Sequence, residues 1–175
     1  MYSFLHDAAH ENLELLQKNI RCRRYARMEA MLLSSLTIEA YLNHIGPFIL
    51  KSWQDIERSL QPKQKLTLIL EIISYDPSMG ERPYQTFHEM FKLRNLLVHG
   101  RKHQAVDHIS DQQWNPGEFP QEPSLDIDNL ITDSNAKRFV EDMDAIIKDL
   151  AEHPMIKDIA PAPGIMGKFS FTTDI

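Results

Sequence analysis

The sequence predicts an all-α fold, and three observations carry that reading. Apolar residues recur at three- and four-residue spacing through one segment after another, as the buried face of a helix requires. Proline and glycine stand at the edges of those segments, where helices start and stop. With 175 residues, 42% hydrophobic and 25% charged, the chain is long and apolar enough to bury one core as a soluble domain.

Taken in order, Leu13, Leu16 and Ile20, then Leu32, Leu33, Leu36 and Leu42, keep helical spacing from about residue 6 to Gly46-Pro47, as one long bent helix or two. A short helix follows around Trp53 to Leu60. A firmer one runs from Pro62, suited to the first helical position, to Ser74 and carries Leu66, Leu68, Ile69, Leu70, Ile72 and Ile73. Asp76 to Gly80 reads as a turn. From Pro83 to His99, Met90, Leu93, Leu96 and Leu97 form one apolar stripe, while Phe87, Phe91 and Val98 form a second that needs another helix or a second subunit to cover it. Gly100 is a natural stop. Between Arg101 and Ser124 the pattern lapses, and Trp114-Asn115-Pro116-Gly117 with Pro120 and Pro123 marks a long loop placed to fold over the end of that helix. Trp114 there either plugs the bundle or stacks on a base. A last helix from about Ser134 to Glu152 uses Phe139, Met143, Ile146, Ile147 and Leu150, and Pro154 to Ile175 reads as an extended arm. The organisation expected is therefore a helical domain over 1–153, with its loop at 101–124, and a tail over 154–175.

Several function classes lose support. A single cysteine, Cys22, permits no intramolecular disulfide and suits a reducing compartment. Neither a signal peptide nor a membrane-spanning run is visible, so the reading is a cytoplasmic protein with no membrane contact. The six glycines are scattered and build no phosphate-cradling loop. His6 and His10 have the i, i+4 spacing of a helical chelate, but the sequence places no acidic third ligand beside them, so no metal site and no cofactor are expected.

The chemistry concentrates in Arg94-Asn95-Leu96-Leu97-Val98-His99-Gly100. Asn95 and His99 are four apart on one face, with Arg94 flanking them. An imidazole with a near-neutral pKa can move a proton. A guanidinium fork stays charged and matches two phosphate oxygens. Together they suit attack of an RNA 2′-hydroxyl on the neighbouring phosphate. The same residues are also ordinary helix-ending chemistry, arginine and histidine in the last turn and glycine as the stop.

Arginine, a polar residue, three residues and then histidine at the end of a helix in a small helical chain resembles the signature of the HEPN superfamily. The segment Leu36 to Ile45 is similar to an early helix of that family, in which Glu39 and Asn43 share a face, and Lys63-Gln64-Lys65-Leu66 after Pro62 is also familiar there. The resemblance implies a four- to five-helix bundle, dimeric, with two Arg/His sets facing each other in one RNA-cutting cleft. It implies Arg94 and His99 as the catalytic pair, Asn95 as the motif's polar residue and Glu39 in support. The function expected is a metal-independent endoribonuclease, a toxin or defence effector restrained by a cognate antitoxin or regulatory protein. The alternatives are a non-catalytic HEPN-like binding or assembly module, and a helical bundle in which Arg94 bridges to Glu39 for structure alone.

The net charge of -6 divides unevenly. Residues 1–103 hold 14 Lys+Arg against 11 Asp+Glu, and the remaining 72 hold 5 against 14, so the first part is +3 and the second -9. Basic residues gather at Lys18, Arg21, Arg23, Arg24 and Arg27, and again at Lys92, Arg94, Arg101 and Lys102 beside His103. Lys92, Arg101, Lys102 and His103 are the RNA-binding candidates, since local patches rather than the global sum attract nucleic acid.

Overall fold

The computed structural model describes residues 2–18, 23–98 and 129–159. Six helices follow in order: α1 (Tyr2–Lys18), α2 (Arg23–Ile49), α3 (Trp53–Ile56), α4 (Pro62–Ile72), α5 (Tyr84–Val98) and α6 (Asp133–Glu152), with no strand among the described residues. The long N-terminal helical stretch is thus two helices. Residues 101–124 and the tail from 160 lie outside the described residues, so the expected loop and Trp114 do too.

α2 is the central helix, and α1, α4, α5 and α6 all pack on it. Its inward positions include Ala30, Met31, Ile38, Tyr41, Leu42 and Ile45, together with the fully buried Ser34, Ser35 and Thr37. Those three hydroxyls are satisfied by their own helix: Ser34 Oγ donates to Ala30 O at 2.8 Å, Ser35 Oγ to Leu32 O at 2.6 Å and Thr37 Oγ1 to Leu33 O at 2.7 Å. Small side chains there let neighbouring helices approach closely. Leu32, Leu33 and Leu36, read as core from their spacing, are only half-buried. α2 also runs three residues past Gly46 to Ile49, with Pro47 inside its last turn. Pro47 cannot donate to the Asn43 carbonyl four residues back, and α2 stops two residues later at Ile49. Gly46 is needed where it stands: a Cβ at that position would lie 2.1 Å from Cε2 of the fully buried Trp53 indole.

α4 begins at Pro62, with the Gln61 backbone N–H donating to Gln64 Oε1 at 2.8 Å, half of a capping box. It ends in a Schellman motif. Tyr75 N donates to Leu70 O at 3.0 Å and Ser74 N to Glu71 O at 3.1 Å, with Ser74 in the left-handed region at φ 54°. α6 is capped by Thr132, whose side chain accepts from Asn135 N at 3.1 Å, and buries Phe139, Met143, Ile146, Ile147 and Leu150 as the periodicity predicts.

Carboxylates of α6 fasten the connection between α4 and α5. Asp149 Oδ2 accepts from Tyr75 at 2.8 Å and Tyr84 at 2.7 Å, and buried Asp142 accepts two bonds from the Arg82 fork at 2.8 and 2.9 Å. α5 consequently packs on both α2 and α6. Phe87 and Phe91 of its second stripe are covered by the same chain, their rings 4.7 Å apart, whereas Val98 at its end is 61% exposed. Residues 154–159 wind into turns rather than extending, because Ile156 reaches back into the core.

Candidate functional site

Three helices converge on Glu39. It sits on α2 among the inward-facing positions, and its two carboxylate oxygens are divided between two cations. Lys65 of α4 donates from Nζ to Oε1 at 3.2 Å. Arg94 of α5 pairs from Nη2 with Oε2 at 3.4 Å. Lys65 is buried, at 4% exposed, while Glu39 and Arg94 are only partly so. A buried ammonium demands a counter-charge, and Glu39 is placed to supply it. Two cations on one carboxylate leave one positive charge uncompensated within this trio.

Arg94 is held but not saturated. Its Nη1 donates to Asn95 Oδ1 at a long 3.4 Å, and its buried Nε has no hydrogen-bond partner among the described residues. An arginine so tethered keeps donors for an anion, and its fork is oriented before any ligand arrives. Asn95 itself is exposed. Asn43 lies one turn along α2 from Glu39, and its buried Oδ1 lacks a partner among the described residues. Lys92 is exposed on α5. His99, Arg101, Lys102 and His103 lie outside the described residues.

The structure brings Glu39 and Arg94 together, a contact common to the family resemblance and to the purely structural bridge, and adds Lys65, to which the sequence reading assigns no role. The signal for Lys65 was present. Pro62, Lys65, Leu66, Ile69 and Leu70 are the buried positions of α4, so the lysine occupies a core position within an apolar stripe. Of the other basic cluster, Arg23 and Arg27 are engaged in structure. Arg27 and Arg23 both pair with Asp133 at the start of α6, and Arg23 Nε also donates to Leu16 O at 3.1 Å. The hydrogen bond from Arg27 holds the Asp133 carboxyl below its ordinary range. Arg23 and Arg27 thus pin the start of α2 to the start of α6.

Comparison with family models, curated proteins and solved structures finds no match to this chain. No helix among the described residues is long and apolar enough to cross a membrane.

Proposed function

We propose that the chain is a metal-independent endoribonuclease of HEPN type, acting in the cytoplasm as a homodimer whose two Arg94/His99 sets form one cleft. The observation that carries this reading is the shared carboxylate. Glu39 orients Arg94 without neutralising the Arg94–Lys65 pair of cations, which suits retention of a phosphodiester whose charge rises in the transition state. Arg94 holds the scissile phosphate. His99, the next residue in the chain after the last of α5, takes the 2′-hydroxyl proton or protonates the leaving 5′-oxygen. The exposed Val98, with half-buried Leu96 and Leu97 beside it, gives the motif an apolar edge for pairing. Such an enzyme requires restraint, so a cognate antitoxin or regulatory protein is the partner this reading implies.

The contacts that orient Arg94 also suit a binding or assembly module that keeps the guanidinium for structure. Cleavage of a mixed tRNA and mRNA pool in EDTA, comparing wild type with Arg94→Ala and His99→Ala, separates the two. Cutting that survives chelation and disappears in both variants is expected. A folded wild-type dimer that leaves every RNA intact would transfer the assignment to the binding module.

A further inference from the structure

His6 and His10 are one turn apart on α1, and the fold brings to them the acidic partner that the sequence does not place. Asp144, from the exposed edge of α6, stands with Oδ1 2.9 Å from His6 Nε2, and His10 Nε2 is 3.1 Å from each of its two oxygens. One ligand atom from each of the three residues lies within 4.8 Å of the other two, and the imidazole centroids are 4.7 Å apart. All three side chains are partly exposed, so the cluster is open to solvent on one side. We propose that His6, His10 and Asp144 form a binding site for a zinc-class divalent cation that clasps α1 to α6.

The chemistry of the set selects the ion. Two imidazole nitrogens and one carboxylate oxygen suit Zn²⁺, Co²⁺ or Ni²⁺, whereas Mg²⁺ and Ca²⁺ require mostly oxygen ligands. Ligand atoms at about 2.0–2.1 Å from a tetrahedral ion lie roughly 3.3 Å from one another, so the nitrogen-to-oxygen distances need open by only a few tenths of an ångström. The fourth position falls to water. His6 also carries the outer partner that metal-bound imidazoles commonly have. Its Nδ1 is 3.4 Å from Asp7 Oδ1, an arrangement that keeps a proton on Nδ1 and leaves the Nε2 lone pair directed at the ion. The helical i, i+4 pair fixes two ligands before folding is complete, and α6 delivers the third only in the folded chain. Binding therefore stabilises the native state alone. The site stands apart from the Glu39 trio in its residues and does not depend on the ribonuclease reading.

The test uses the untagged full chain, stripped with EDTA and desalted at neutral pH, then titrated with Co²⁺ by visible absorption and with Zn²⁺ by calorimetry and thermal unfolding. The expected result is one equivalent per chain, an intense tetrahedral cobalt spectrum and a raised thermal midpoint. Removing a ligand in His10→Ala or Asp144→Asn weakens Zn²⁺ by about a hundredfold or more, and removing the outer partner in Asp7→Asn by about tenfold. His88→Ala, which removes a histidine elsewhere on the surface, leaves the affinity unchanged. His10 is partly exposed, so its alanine variant keeps the apo fold and serves as the decisive case. Failure to bind one equivalent, an octahedral spectrum, or affinity equal in wild type and His10→Ala would overturn the site.

Discussion

Glu39 serves two cations of unequal dependence on it, and that inequality separates folding from chemistry at single residues. Lys65 is buried and needs the carboxylate, so Glu39→Gln leaves an ammonium without its counter-charge and is expected to cost about 2–3 kcal/mol in denaturant unfolding. Arg94 is partly exposed, and Arg94→Ala leaves the Lys65–Glu39 pair intact, so its cost is about 1 kcal/mol. Loss of cleavage in a folded Arg94→Ala protein therefore reports on phosphate chemistry. At the His6 cluster the apo protein has its own pH signature. The hydrogen bond with Asp144 raises His6 above 6.5, against the opposing effect of burial. Burial alone would raise Asp144, yet the hydrogen bonds from His10 and His6 outweigh it and hold the carboxyl at about 2 against an ordinary 3.8. The stability contributed by His6 is complete below 6.5 and lost as pH rises through its folded pKa, while that of Asp144 is present above 3.8 and lost as pH falls toward about 2. This is one interaction seen from both partners, strongest between about pH 4 and 6.5. Thermal unfolding of the stripped protein is expected to show a midpoint falling from pH 6.5 to 8, with His6→Ala flat over that interval.

At the scale of elements, most boundaries were legible because caps and stops are local. Pro62 opens α4, helical periodicity defines α6 almost to the residue, and the motif helix is formed through Val98, its expected stop at Gly100 lying outside the described residues. The interior of α2 was legible only in part: Leu42 is fully buried and Leu33 packs against the core as their spacing predicts, but Leu32 and Leu36 are only half-buried. Tertiary packing instead buries Ser34, Ser35 and Thr37, whose hydroxyls bond within their own helix. Nor does any local signal pair Gly46 with Trp53, because that contact is a matter of shape. Gly46→Ala is expected to cost about 2–3 kcal/mol by forcing its methyl into the indole, visible as a lower denaturation midpoint. At the other extreme, Ser74 occupies a left-handed position where glycine carries no Cβ penalty. Ser74→Gly is expected to stabilise by about 0.5–1 kcal/mol in the same assay, because the Schellman bonds of α4 are already formed.

Across the whole molecule, the described residues cover the aromatic positions of α5 and leave the apolar side chain at its end exposed. Phe87 and Phe91 are buried by the rest of the bundle, but Val98, adjoining the motif histidine in sequence, is 61% exposed. The sequence reading had left open whether another helix or a second subunit covers this stripe. Among the described residues, α2 and α6 pack on α5 and bury Phe87 and Phe91, while Val98 in its last turn is left exposed. If the two-fold interface of the proposed dimer is built there, a charge at position 98 must be desolvated twice, once from each subunit. Val98→Lys is the informative change. A lysine in the last turn suits the helix dipole, so the folded monomer keeps its stability, and the added positive charge favours RNA contact. Sedimentation of wild type as a dimer and of Val98→Lys as a folded monomer is expected, the variant melting lower by the concentration-dependent stability that association adds, with cleavage lost in the variant although its attraction for phosphate has increased. A variant that remains dimeric and still cuts would place the two-fold axis elsewhere on the bundle.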